Sequence, residues 1–269
     1  MPPGSPTRKR ERAAEPPSTE QASRQRSGSQ VPPVTETYAQ ADAYVCEYLT
    51  RFRHGTNLRG GGKQERPDAE ILDNLCSFMS CLKRQVGESD CRKLREFLTA
   101  YGVVRTFRGV SEDSVLCLKP LVEHLQSRRA ALQCHFDLVR EVDQVVAACQ
   151  AAGFNRNISF ASKCLCMLGH PAPIYSSEAV AYLKHAGHAL KQGATYDEFQ
   201  RAWFAQYDKE GAPYEMAASK HLASGDGVSS SGGGVDVGEL ERRLGASWFA
   251  MRGFDVKMMV VGAPMRSKK

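Results

Sequence analysis

Residues 155–183, N-R-N-I-S-F-A-S-K-C-L-C-M-L-G-H-P-A-P-I-Y-S-S-E-A-V-A-Y-L, decide the fold class. The first half carries Phe160, Leu165, Met167 and Leu168 with almost no polar face, which predicts a helix buried on most sides. Asn157 or Ser159 can cap it. Gly169, Pro171 and Pro173 then stop it, because neither residue type continues a helix. Ser176 or Ser177 stands where the next helix needs an acceptor for its free amides. Val180, Leu183 and Leu190 give that helix its core-facing side.

Moving outward, the same 3.6-residue pattern recurs. Residues 111–152 read as helical, with Pro120 in a first turn and Leu132, Phe136, Val139, Val142, Val146 and Cys149 forming a long apolar stripe closed by Gly153. Arg128-Arg129 and Arg140-Glu141 fall on its polar side. Upstream, Ser89 is placed to cap a helix carrying Leu94, Phe97, Leu98 and Tyr101 that Gly102 ends; Val103 to Phe107 reads as an extended link. Asp68 after Pro67 is placed to cap a helix with Ile71, Leu75, Phe78, Leu82 and Val86. The first stripe is Tyr38, Ala41, Val45, Leu49 and Phe52, before the loop Gly60-Gly61-Gly62.

Downstream, Thr195-Tyr196-Asp197-Glu198 is a capping box opening a helix with Phe199, Trp203 and Tyr207. Residues 209–238 read as a flexible Gly/Ser-rich insertion containing Ser229-Ser230-Ser231-Gly232-Gly233-Gly234. A second box, Asp236 to Glu239, opens the last helix, with Leu240, Leu244 and Trp248. Val256-Lys257-Met258-Met259-Val260-Val261 suits either a lone strand or an apolar tail. The expected architecture is all-α: a helical core over 35–208, the insertion, and a C-terminal helix and apolar segment over 239–265.

The 269 residues are 42% hydrophobic, enough for one sizeable core. Their net charge of +6 is unevenly placed. Residues 1–34 hold six Arg or Lys against three Glu, and residues 266–269, R-S-K-K, are purely basic, so the stretch between is neutral. The N-terminal segment has too little apolar surface to offset its ordering entropy and is expected to be a disordered basic tail. Within it, Arg8-Lys9-Arg10-Glu11-Arg12 resembles a short nuclear-import signal. Nine scattered cysteines, no apolar leader and no apolar run of membrane-spanning length point to an intracellular protein, nuclear or cytoplasmic, with no membrane partner.

Few groups are arranged for chemistry. Cys164 and Cys166, with His170, His185 and His188 nearby, are the right residue types for zinc. Two positions on a helix separated by two residues point roughly 200° apart, however, so both thiols cannot reach one ion. They read as core thiols, and no metal or cofactor is expected. No cysteine has a local nucleophile motif. Glu239 and Glu241 do not share a helix face, as an acid–base couple would require.

Ser159-Phe160-Ala161-Ser162-Lys163, the apolar run after it, and Pro173-Ile174-Tyr175-Ser176-Ser177 resemble a set of uncharacterised bacterial proteins sharing S-F-A-S/T-K and F-P-I-Y-D-S. Tyr196, Phe199, Glu239, Leu240 and Trp248 fit the later part of that pattern. The central segment is in turn similar to the second half of the helix-hairpin-helix DNA glycosylases. The resemblance implies a two-lobed, glycosylase-like helical fold in which Ser176 occupies the place of the catalytic aspartate. Serine keeps the aspartate's capping role and lacks its carboxylate. The glycosylases' Gly-x-Gly phosphate-gripping hairpin is also absent from Phe154-Asn155-Arg156-Asn157-Ile158.

These features together lead to the expectation of a non-enzymatic binding protein on a degenerate glycosylase-like scaffold. The first partner considered is DNA or RNA, held by the basic tails (Arg8, Lys9, Arg10) with Lys163 and Arg156; a protein partner is the second. The alternative is a base-excision-like enzyme using another carboxylate, Asp197 or Glu178.

Overall fold

The computed structural model describes residues 37–55, 67–73, 85–128, 137–191, 193–224 and 235–266. Among them every regular element is helical: α1 (Tyr38–His54), α2 (Glu88–Ala100), α3 (Lys119–Arg128), α4 (Leu138–Ala151), α5 (Ile158–Met167), α6 (Ser177–His185), α7 (Tyr196–Glu210), α8 (Ala212–Ala223) and α9 (Val237–Arg266). Two short 3-10 turns, Val104–Thr106 and Val115–Leu118, lie between α2 and α3. The protein is all-α, and Thr35–Lys269 forms one compact unit. Among the described residues no helix is long and apolar enough to cross a membrane.

The helices pack around α9. From Trp248 to Met258 every residue of this helix is buried, so three of its turns have no solvent face. Helices α1, α6 and α8 lie against it. Aromatic rings line the contact, with Phe52 of α1 5.1 Å from Phe249, Trp203 of α7 5.2 Å from Phe254, and Tyr214 of α8 5.4 Å from Phe254. Two glycines allow close approach. A Cβ at Gly253 would stand 2.7 Å from Val45 Cγ2, and one at Gly262 would overlap the carbonyl oxygen of Glu178. Gly245, at φ 75°, is not helical and bends α9 between its exposed start and its buried body.

Most helix starts follow the sequence. Asn157 accepts the Phe160 N–H at 2.9 Å, Ser176 accepts the Ala179 N–H at 3.0 Å, and Asp236 accepts the Glu239 N–H at 2.9 Å. Thr195 and Glu198 form the expected reciprocal box. Gly102 and Gly153 take left-handed backbone where the preceding helices end.

Other expectations are corrected. Ser89 does not cap α2; Gly87 does, and its N–H donates to Asp90 at 3.0 Å. Asp68 lies inside the first turn of a helical segment over 68–73, where its buried carboxylate pairs with Arg51 at 3.3 Å. The expected extended link after Gly102 contains a 3-10 turn. The flexible insertion does not begin at 209: Ala212–Ala223 is helical and buries Tyr214, Ala217 and Ala218. Val256 to Val261 is neither strand nor tail but a stretch of α9 that passes from buried (Val256 to Met258) to partly exposed. The expectations for residues 1–34, Gly60 to Gly62, Leu75, Phe78, Leu82, Leu132, Phe136 and Ser229 to Gly234 fall outside the described residues.

The buried body of α9 carries two charges. Arg252 is fully buried and pairs with Asp255 at 3.1 Å, one turn further on. Burial alone would lower the guanidinium's pKa, but the facing carboxylate raises it, so Arg252 stays charged. The pair also serves the loop joining α5 to α6. Arg252 Nη2 donates to the Ala172 carbonyl at 2.9 Å, and Asp255 accepts from the Ile174 N–H and, at 3.0 Å, from Trp203 Nε1. Removing one partner of such a pair leaves a buried charge uncompensated and costs about 3–5 kcal/mol. Arg252→Met is therefore expected to lower the unfolding free energy by about that amount in urea titration. The double change Arg252→Met/Asp255→Leu is expected to give no rescue, because the loop's carbonyl and amide would remain buried without partners. A double variant as stable as the native chain would show that the loop does not depend on the pair.

Candidate functional site

The segment with the most definite sequence pattern has a backbone that depends on side chains from elsewhere in the fold. Between α5 and α6 the chain runs without regular structure, yet Ala172 and Pro173 are buried. Buried peptide groups outside helices and strands need other partners. Here those partners are side chains from other parts of the fold. Arg252 takes the Ala172 carbonyl, Tyr196 OH donates to the Pro173 carbonyl at 3.1 Å, Asp255 takes the Ile174 N–H, and Ser162 Oγ accepts the Tyr175 N–H at 3.0 Å. Nothing in the local sequence around Ser162, Tyr196 or Asp255 signals this role; only proximity across the fold reveals it.

This clamp holds Ser176 at the mouth of α6. Its hydroxyl is committed to the Ala179 N–H, and the side chain is partly exposed. Glu178, in the first turn, is bound by Arg266 and by the Ser177 hydroxyl at 3.1 Å. Burial would raise its pKa, but the backbone amide, Arg266 and Ser177 outweigh burial and hold the carboxyl below its ordinary value. Asp197 lies on α7 in an ion pair with Arg201 at 2.6 Å. Both alternative carboxylates are thus partnered by arginines, and for Glu178 the lowered pKa is the opposite of what a general acid needs, a carboxyl kept protonated by its surroundings.

The two cations named from the sequence have separate fates. Lys163 is half-buried and donates to the carbonyl of Tyr101, the first residue beyond α2, at 3.1 Å. A cation there meets the negative end of the helix, so this lysine has a structural task. Arg156 is exposed, and its charge is close enough to Tyr175 to draw the phenol's pKa down against the rise that burial causes. The structure thus leaves Arg156 exposed within electrostatic reach of Tyr175 and turns Lys163 toward α2. Arg8, Lys9 and Arg10 lie outside the described residues.

The cysteine and histidine cluster does not assemble. Cys164 and Cys166 are both fully buried, and Cys166 faces Arg252 while burial pushes its thiol up to about 12. His188 bonds Gln206 at 2.9 Å and His185 is exposed. Among the described residues no three Cys, His, Asp or Glu side chains converge as metal ligands.

Comparison of the chain with protein-family models, with curated proteins and with solved structures gave no match. The chemistry of the α6 mouth therefore rests on its own residues.

Ser176→Ala is expected to cost about 1 kcal/mol of stability through loss of the cap, whereas Ser176→Asp is expected to be nearly neutral, as read by thermal or urea unfolding. His170, at the start of the loop, supplies a pH test. Burial pushes its imidazole down to about 4, with Glu141 pulling the other way. Between about 4 and 6.5 the unfolded chain then binds a proton that the folded chain refuses, so stability drops as the pH falls through that window. In His170→Phe the urea midpoint is expected to fall less steeply over the same range; parallel curves would remove the assignment.

Proposed function

We propose that this protein is a non-enzymatic binding protein on a helical scaffold distantly similar to the helix-hairpin-helix DNA glycosylases, and that its ligand is nucleic acid. The observation carrying this reading is the state of the α6 mouth. The hydroxyl of Ser176 is spent on capping, and the nearest carboxylate, Glu178, is neutralised by Arg266. A site that cleaves a glycosidic bond needs a free or protonatable carboxyl at the reacting carbon, and this mouth offers a neutral cap instead. The basic stretches over 1–34 and 267–269, with the exposed Arg156, supply positive charge for a phosphate backbone.

The alternative is a base-excision-like enzyme that uses Glu178 or Asp197. Both readings are tested together by incubating the full chain with fluorescently labelled single-stranded and duplex oligonucleotides, including duplexes with damaged bases. Salt-sensitive binding is expected, with no base release and no strand cleavage. Base release that disappears in Glu178→Gln or Asp197→Asn would replace the binding reading with the enzymatic one. Absence of binding at low salt would remove nucleic acid as the ligand and leave a protein partner.

A further inference from the structure

Three exposed arginines from two distant parts of the chain are carried to one corner of the fold. Arg105 lies in the 3-10 turn Val104–Thr106 and Arg108 just beyond it; Arg156 lies in the loop between α4 and α5. The two loops are locked together by residues next to these arginines. Asn157 Nδ2 donates to Thr106 Oγ1, and the Phe107 ring lies 4.9 Å from Phe154 and 5.0 Å from Phe160. Beyond Arg108, Ser114 Oγ donates to the Gly109 carbonyl at 2.7 Å and also accepts the Ser111 N–H at 3.0 Å, which fixes the turn that follows.

The charges here are free in a way that several other surface arginines are not. Arg92, Arg201, Arg242 and Arg266 each lie against a carboxylate. Among the described residues none of Arg105, Arg108 and Arg156 has an ion-pair partner. Glu112, the nearest glutamate along the chain, is instead taken by Arg95 at 3.4 Å, which leaves Asp113 as the remaining exposed carboxylate of that loop. Arginines on a fixed backbone need no backbone ordering when they bind, and the planar guanidinium matches phosphate oxygens in a bidentate way. The charge of Arg156 also reaches the partly exposed Tyr175 electrostatically, drawing the phenol's pKa down against burial.

We infer that Arg105, Arg108 and Arg156 form a phosphodiester-binding surface on the folded domain, which grips a nucleic-acid backbone independently of the basic ends of the chain. The inference rests on the nucleic-acid reading above and gives it a location. Contacts of this type position a strand without reading its sequence, so binding at this corner is sequence-tolerant.

The test uses three full-length proteins: the native chain, Arg105→Gln/Arg108→Gln/Arg156→Gln, and Arg8→Gln/Lys9→Gln/Arg10→Gln/Arg12→Gln. Each is titrated against labelled oligonucleotides of two unrelated sequences over a range of salt concentrations. Circular dichroism checks that helicity is unchanged, as expected for exposed side chains. Removing one arginine from a phosphate is expected to reduce the salt slope by about one and to weaken both sequences alike. The domain variant should therefore show a salt slope smaller by roughly two to three. A domain variant with native slope, while the tail variant no longer binds, would overturn this surface and leave the nucleic-acid reading standing. Failure of the native chain to bind either oligonucleotide would overturn both. A reduced slope for only one sequence would show base readout in place of backbone binding and overturn the inference as stated.

Discussion

The structure depends on a buried ion pair, Arg252 with Asp255, in the middle of an otherwise apolar helix. Two charges in a core are costly, and their mutual attraction alone often fails to offset the loss of hydration. What makes the arrangement workable is that each charge has further partners. Arg252 takes a loop carbonyl, while Asp255 takes a loop amide and the indole N–H of Trp203. The pair supplies the hydrogen bonds that the α5–α6 connection cannot make within itself. In return the loop and the tryptophan give the charges further hydrogen bonds. A helix from the end of the chain thereby sets the path of a segment 80 residues earlier.

That dependence reaches the candidate site directly. The orientation of Ser176 at the start of α6 follows from the clamp on residues 172–175, and α6 itself lies against α9 through the bare backbone at Gly262. Arg266, near the end of the same helix, reaches Glu178. One helix thus fixes the loop, seats the following helix and neutralises the nearest carboxylate. The mouth of α6 is shaped for stability and polar complementarity, and the free positive charge lies to one side of it, at Arg156 and its neighbours from the turn after α2.

Much of the helical framework was legible in the chain because it is governed by local rules. Asn157, Ser176, Thr195 and Asp236 each cap the helix that follows, since a side-chain oxygen needs only its own neighbouring amides. Where local rules offered two answers, the outcome turned on distant contacts. Asp68 is a good cap by type, yet Arg51 of α1 claims its carboxylate. Val256 to Val261 is rich in residues that favour strands, yet it continues the helix whose preceding turns are buried from Trp248 to Met258, and a helix satisfies that buried backbone internally. Ala212–Ala223 looks in sequence like part of a Gly/Ser-rich insertion, and the packing of Tyr214 against Phe254 makes it a core helix.

The sequence alone determined that the chain is helical, where several of the helices begin, that Cys164 and Cys166 lie in the core, and that a serine caps the helix at the mouth of interest. These are consequences of periodicity and of hydrogen bonds between near neighbours. Tertiary structure decided the rest: that the last helix is the centre, that Lys163 serves a helix end, and that Arg105, Arg108 and Arg156 share a corner. Those outcomes depend on which surfaces meet across the fold, and the spacing of residues along a chain does not encode that distance.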